Sequence, residues 1–500
     1  MSQTLDRIRP LLSFTGRYRI LHLTWFAFFL SFVVWFSFAP FARSIGDEFG
    51  LSKEQLTVLA LCNVALTVPA RVFIGMALDR WGPRRVYASI LIYAAVPSLV
   101  FATAQSFEVL VASRLALSIV GAGFVVGIRM VSEWFPPREM GTAEGVYGGW
   151  GNFGSAAAAF TLPTVAALAG GWRGAIATTG LMAAAYGVVY LRTVTDTPEG
   201  QIYARPHRQG ALEVTSRGGV LGLLALNAPL VAILGLVAWR LHRVGFLTGG
   251  VLVGVVVALV ALLAVQSHQI VRVNAPALAD AYPDEDRYPL RSVAILCLAY
   301  AVTFGSELAV VSMLPTFFGD TFGLSTVAAG MTASAYAFMN LGARPMGGLL
   351  SDLMGSRRRT LGTLLAGLAV GYGLMAIVGA GWPVAAAVVA CMACSLFVQA
   401  GEGATYAIVP LVKRRVSGQI SGLVGAYGNV GALLFLTLLL FTGPTTFFLV
   451  IGASAIVASF ATRWLPEPEG SFAAEHAPEH DVSLALRPAL RPAVAMAGAE

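Results

Sequence analysis

Charge is scarce in this chain of 500 residues. Asp, Glu, Lys and Arg make up 12% of it against 57% hydrophobic residues, and the mean hydropathy is +0.74. That balance excludes a water-soluble enzyme and a secreted disulfide scaffold. Lysine is nearly absent, with Lys53 and Lys413 alone, so the net charge of +7 is carried by arginine. The arginines sit mainly in short segments between apolar runs, where they read as topology signals and not as a nucleic-acid surface. Cysteine is limited to Cys62, Cys297, Cys391 and Cys394, all within apolar stretches. Cys391 and Cys394 form a C-x-x-C, but no histidine or positive setting activates a thiolate, and small helix-packing residues are the better reading. No metal-ligand cluster, nucleophile elbow or phosphate loop occurs in suitable context, so no enzyme, catalytic residue or metal site is expected.

Long apolar runs are what the chain has in abundance. Segments of about twenty residues recur from Leu21 to Leu465, each long enough to cross a ~30 Å hydrocarbon core as a helix. The expected organisation is an N-terminal six-helix half (1–191), a cytoplasmic linker (192–291) with an inserted hydrophobic hairpin (218–265), a C-terminal six-helix half (292–465) and a disordered cytoplasmic tail (466–500). This is an all-α membrane protein with about 14 transmembrane helices. The basic loops Asp79 to Arg85, Pro136 to Glu139, Arg192 to Arg217, Arg357 to Arg359 and Lys413 to Arg415 fall on one side, which makes that side and both termini cytoplasmic. The hairpin tip would put Arg240 and Arg243 outside, against the rule, so a hairpin that spans and one that only dips into the inner leaflet both stay open.

An internal repeat carries the argument further. At an offset of 273, Ala70, Arg71, Gly75, Asp79, Gly82, Arg84 and Arg85 recur as Ala343, Arg344, Gly348, Asp352, Gly355, Arg357 and Arg358, seven identities in sixteen positions. At an offset of 277, Gly141, Gly145, Gly148, Gly151, Asn152 and Gly154 recur as Gly418, Gly422, Gly425, Gly428, Asn429 and Gly431. Two homologous six-helix halves with a site near the midplane between them make a transporter architecture. The loop Gly75-x-x-Leu78-Asp79-Arg80-x-Gly82-x-Arg84-Arg85 resembles the signature loop of the major facilitator superfamily. The resemblance implies that Asp79, Arg80, Arg84 and Arg85, with Asp352, Arg357 and Arg358, hold a cytoplasmic gate, Asp79 lying against the N-terminus of the eleventh helix, where the dipole favours it.

Depth follows from 1.5 Å per helical residue. Arg71 lies eight residues before Asp79, about 12 Å above the cytoplasmic boundary, and Arg344 stands in the same relation to Asp352. Asn152, Asn429 and Tyr300 come out about 12 to 14 Å deep, with Phe124 slightly deeper. An arginine there costs roughly 2.5 to 3.5 kcal/mol on insertion scales, so two need a reason. One is ion pairing with Glu307 or Glu402, the acids well inside these spans. The sharper one is a shared cavity in which both guanidinium groups grip a small oxyanion through bidentate contacts. The amides of Asn152 and Asn429 can donate hydrogen bonds without adding charge.

Further motifs resemble the nitrate/nitrite porters of that superfamily over both halves: Trp25-Phe26-Ala27-Phe28-Phe29, Ser132-Glu133-Trp134-Phe135-Pro136, Gly151-Asn152-Phe153-Gly154, Gly428-Asn429-Val430-Gly431, Tyr300 through Glu307, and Gly401-Glu402-Gly403-Ala404-Thr405-Tyr406. The resemblance implies nitrate held between Arg71 and Arg344, with Asn152 and Tyr300 as donors and Phe124 and Phe304 sandwiching the ion. It implies no cofactor, and a monomeric transport unit in the cell membrane with nitrate, nitrite and protons as partners. Arg129 is expected to pair with Glu133 at i+4, the alternative being a place along the anion's exit path. The inferred site contains no carboxylate or histidine, which favours nitrate/nitrite exchange by alternating access. Glu307, Glu402 and Arg114 keep proton symport open, Arg114 resembling the fourth-helix arginine associated with proton coupling. The rival is a transporter of another small organic anion or a drug exporter, which would expect a wider and less doubly basic cavity.

Overall fold

The computed structural model describes residues 9–439 and 441–476; of the expected tail, 477–500 lie outside the described residues. Among the described residues there are helices and no strands. Every apolar run of the sequence is helical: α1 (Gly16–Trp35), α2 (Lys53–Trp81), α3 (Pro83–Ala102), α4 (Phe107–Trp134), α5 (Met140–Leu168), α6 (Trp172–Thr193), α7 (Arg217–Arg243), α8 (Gly249–Val273), α9 (Leu290–Phe322), α10 in two pieces (Thr326–Phe338 and Ala343–Leu353), α11 (Arg357–Ile377), α12 (Val384–Tyr406), α13 (Ser417–Leu439) and α14 (Pro444–Ala461). Among the described residues twelve helices are long and apolar enough to cross a membrane, and α5 and α10 are not among them. Glycines and Glu144 dilute α5, and α10 is interrupted at Met339–Leu341, so fourteen is an approximate count of crossings.

The repeat is visible in the packing. Within the halves α1 lies on α5 as α9 lies on α13, and α3 on α6 as α11 on α14. Between the halves α2 packs on α13 and α5 on α10. The repeated glycines form these seams: a Cβ on Gly141 would stand 2.3 Å from the Gly348 carbonyl oxygen, and one on Gly75 would stand 2.6 Å from that of Gly418. Only backbones without side chains approach this closely, which gives the repeated Gly positions a steric reason.

The inserted hairpin runs the length of the bundle. α7 and α8, at 27 and 25 residues, are each about 40 Å long. α7 packs on α2, α9 and α13, while α8 packs mainly on α7 and turns the rest of its surface outward. The base of α7 is tied where Arg217 donates to the Leu278 carbonyl, and the tip reaches the opposite end, where Phe246 meets Phe107 edge-on and Arg240 lies over Phe441. A hairpin dipping part-way does not fit this geometry. The flanking polar segments are packed as well: Arg415 pairs with Glu213 at 3.0 Å and with Asp286, and Tyr282 donates to Glu213 at 2.8 Å. Burial, reinforced by the Glu213 carboxylate, pushes the Tyr282 phenol above its usual range and keeps it a donor.

The stretch after Pro466, expected to be disordered, is packed as far as His476. Glu467 accepts from the backbone N–H groups of Arg357 and Arg358 at 2.8 and 3.2 Å, which caps α11. Composition signalled disorder there, but a carboxylate at a helix N-terminus has partners that composition does not reveal.

Candidate functional site

Two helix interruptions set the site. α2 breaks at Leu66 and restarts at Thr67, and the second piece of α10 starts at Ala343, so Arg71 and Arg344 each stand near the start of a fresh helix. Both are fully buried. Arg71 donates from Nη1 to the Gly425 carbonyl at 2.6 Å and from Nη2 to that of Gly121 at 3.3 Å. Its Nε has no hydrogen-bond partner among the described residues, and it makes no ion pair there. Arg344 contacts Glu402 and approaches the Tyr300 hydroxyl at 3.3 Å. Both guanidinium carbons lie over the Phe124 ring, at 5.5 and 5.1 Å, and Arg71 also lies 5.0 Å from the Phe304 centroid. Arg71 and Arg344, given one depth by the sequence, thus meet over one ring.

The aromatic wall differs from the expected pair of facing rings. Tyr300 stacks on Phe304 at 5.0 Å and 2° and on Phe124 at 6.0 Å and 5°, so its ring belongs to the same stack. Tyr406 meets Phe124 and Tyr300 edge-on at 4.7 and 4.8 Å. Tyr300 thus offers Arg344 a hydroxyl and adds its ring to the stack.

A carboxylate-free site is a second expectation the structure corrects. Glu402 contacts Arg344. Glu307 accepts from Asn340 Nδ2 at 2.6 Å and from Asn152 Nδ2 at 3.4 Å. Asn152, expected to serve an anion, is turned toward Glu307 and Asn340. Its repeat mate Asn429 is buried, with neither amide atom hydrogen-bonded among the described residues. Arg114 stands elsewhere, donating to the Trp35 carbonyl at 2.7 Å and lying 5.3 Å from the Phe38 ring centroid.

Two carboxylate clasps join the halves at one end of the bundle. Asp79 accepts from the Gln419 N–H at 3.1 Å, in the first turn of α13. Asp352 accepts from the N–H groups of Gly141 and Thr142 at 2.9 and 2.7 Å, in the first turn of α5. Each repeat therefore caps a helix of the other, and helix N-termini favour a negative charge. Arg357 pairs with Asp352 at 2.8 Å, and Arg84 donates its backbone N–H to Asp196 at 2.7 Å. Burial raises the Asp196 carboxyl above its usual range, opposed by the bond from Arg84. Arg80 lies over Trp81, Arg85 stands near Asp196, and Arg358 donates its N–H to Glu467.

Arg129 pairs with Glu133 at 2.9 Å, as the i+4 spacing predicts, and lies 3.8 Å from Asp79. It also receives the linker: its Nε donates to Tyr203 Oη at 3.0 Å, and that hydroxyl donates to the Leu78 carbonyl at 2.8 Å. The sequence reading missed Tyr203, Asn340 and Tyr406. Asn340 precedes Arg344 by one helical turn and Tyr406 follows Glu402 by one, spacings that would have flagged both. Nothing local marks Tyr203.

Comparison with known proteins bears on the same residues. The family model described as Major Facilitator Superfamily matches twice, over residues 24–299 and 296–498. The nitrate/nitrite transporter NrtP of a Picosynechococcus species is 52% identical over 94% of this chain and 97% of that protein. The chain belongs to the nitrate/nitrite porter family of the major facilitator superfamily. The NrtP of Nostoc punctiforme is 49% identical over 93% of this porter and 96% of the relative. A crystal structure of a human organic anion transporter superposes with a TM-score of 0.63, covering 90% of this chain and 100% of that one; at 15% identity it bears on the fold alone.

Proposed function

We propose that this porter carries nitrate and nitrite across the cell membrane by alternating access, the anion binding at Arg71 and Arg344. The observation that carries the reading is the pair of buried guanidinium groups over one Phe124 ring, one of them without a carboxylate partner among the described residues. A planar oxyanion supplies the charge that Arg71 lacks and matches the guanidinium fork. The Asn429 amide, costing about 1–3 kcal/mol while buried without a partner, would donate to it. The substrate assignment is supported by the two related nitrate/nitrite transporters described above.

The carboxylates bear on the mode. With Arg71, Arg344, Glu307 and Glu402 all ionised, the four charges sum to zero before any anion enters. Admitting nitrate then leaves a net negative charge in a dry site unless a carboxylate takes a proton. Glu307 and Glu402 are accordingly assigned to proton coupling, which favours symport over exchange; Arg114, which stands apart, supports its own helix contacts. In this reading the clasps of Asp79 and Asp352 form the cytoplasmic gate, both termini are cytoplasmic, and the transport unit is a monomer acting as a carrier and not as an enzyme.

The test is labelled nitrate uptake into proteoliposomes, empty or nitrite-loaded, with and without an inward proton gradient. Uptake into empty vesicles that follows the gradient is expected, with Arg71→Lys and Arg344→Lys each losing at least tenfold. Absence of arginine-dependent nitrate flux in either condition sinks the anion assignment.

A further inference from the structure

One buried carboxylate has no part in the site or the clasps as described. Glu144 is 1% exposed, and neither of its oxygens has a hydrogen-bond partner among the described residues. Its position is informative. Thr142, Glu144, Gly148 and Asn152 follow one another along α5, the last three at four-residue spacing and so on one face. Thr142 is bound to Asp352 of the clasp, a Cβ on Gly148 would stand 2.5 Å from Arg344 Nε, and Asn152 reaches Glu307. Glu144 therefore lies one turn, about 6 Å, from the Arg344 level on the clasp side.

The surrounding titratable groups are already engaged. Arg344 has Glu402, and Asp352 has Arg357 and the α5 N-terminus. Tyr147, a turn along α5, donates to the Phe124 carbonyl. On α4, Arg129 and Glu133 pair with each other; on α1, His22 contacts the Ser13 carbonyl; on α6, Tyr190 bonds Thr24. The equivalent position in the other repeat is Ser421, which cannot ionise. An ionised carboxylate without water or a donor is far costlier than a protonated one.

We propose that Glu144 is a proton-binding site on the route between the anion site and the clasp. Resting on the nitrate reading above, the step is as follows. With the clasp closed, Glu144 holds a proton and leaves Arg344 to the anion. When the clasp opens, water reaches Glu144, its O–H bond breaks, the proton goes to that water, and the carboxylate competes for Arg344 and expels the anion. Proton and anion leave by the same side, so Glu144 couples them as symport.

The experiment compares wild type and Glu144→Gln in proteoliposomes, in nitrate counterflow at equal pH and in accumulation driven by an inward proton gradient. Expected for Glu144→Gln are counterflow within about threefold of wild type, gradient-driven accumulation lowered at least tenfold, and a nitrate half-saturation that varies less with pH than that of wild type. Absent wild-type counterflow sinks the nitrate reading itself, and this inference with it. Wild-type counterflow with accumulation that Glu144→Gln leaves intact, or with no gradient response at all, sinks the Glu144 assignment alone. If Glu144→Gln loses both modes, Glu144→Asp decides: a displaced pH profile supports the proposal and an unmoved one overturns it.

Discussion

Arg71 and Arg344 occupy equivalent places in the two repeats, yet Arg344 contacts Glu402 while Arg71 hydrogen-bonds the carbonyls of Gly425 and Gly121 with no carboxylate partner among the described residues. A twofold-related pair of arginines is thus electrostatically unequal. Breaking a buried ion pair from one side costs about 3–5 kcal/mol because a bare charge remains. Glu402→Gln is therefore expected to lower the melting temperature in the absence of nitrate and to recover more of it on adding nitrate than wild type does. Nitrate titration of thermal stability in detergent reads this, and equal shifts in both proteins would contradict it.

The clasp carboxylates give a conformational prediction. Charge-assisted hydrogen bonds contribute about 1.5–3 kcal/mol each, so Asp79→Asn and Asp352→Asn should raise the population open at that end by tenfold or more. A cysteine in place of the buried Ser421, behind the clasp, reports the opening through its rate of alkylation by a membrane-impermeant reagent. Unchanged rates in both variants would show that the clasp does not hold this end shut.

Tyr203 ties the linker between Arg129 and Leu78, across the same end. Tyr203→Phe removes the hydroxyl and keeps the ring over the guanidinium, a loss of about 1 kcal/mol. The same alkylation assay should show an increase of roughly fivefold, in line with that loss. No increase would make the linker a passenger.

The glycine seams predict a steric block. A Cβ on Gly348 would stand 1.9 Å from the Gly141 carbonyl oxygen, so Gly348→Ala forces α5 and α10 apart at the clasp. Overpacking costs typically ~1–3 kcal/mol, and nitrate flux should fall at least tenfold. Gly254→Ala, where nothing lies within 4 Å, serves as the neutral control. Equal flux in the two variants would argue against close backbone contact there.

What the sequence determined by itself was the architecture and the common depth of Arg71 and Arg344. Apolar run length requires membrane-spanning helices because an unsatisfied backbone is too costly in hydrocarbon. The repeat of Arg71 as Arg344 and of Gly141 as Gly418 identified two related halves, and counting residues along straight helices put both arginines at one depth. Tertiary structure alone decided the pairings. Glu402 reaches Arg344 and not Arg71, Glu307 takes the amides of Asn340 and Asn152, and Tyr203 lands on Arg129. Residues 58, 155 and 74 positions apart meet in these contacts, set by helix rotation and packing that no local period encodes. The inserted hairpin divides the same way: its apolar length was legible, but that it runs the full bundle depended on Phe246 meeting Phe107 at the far end.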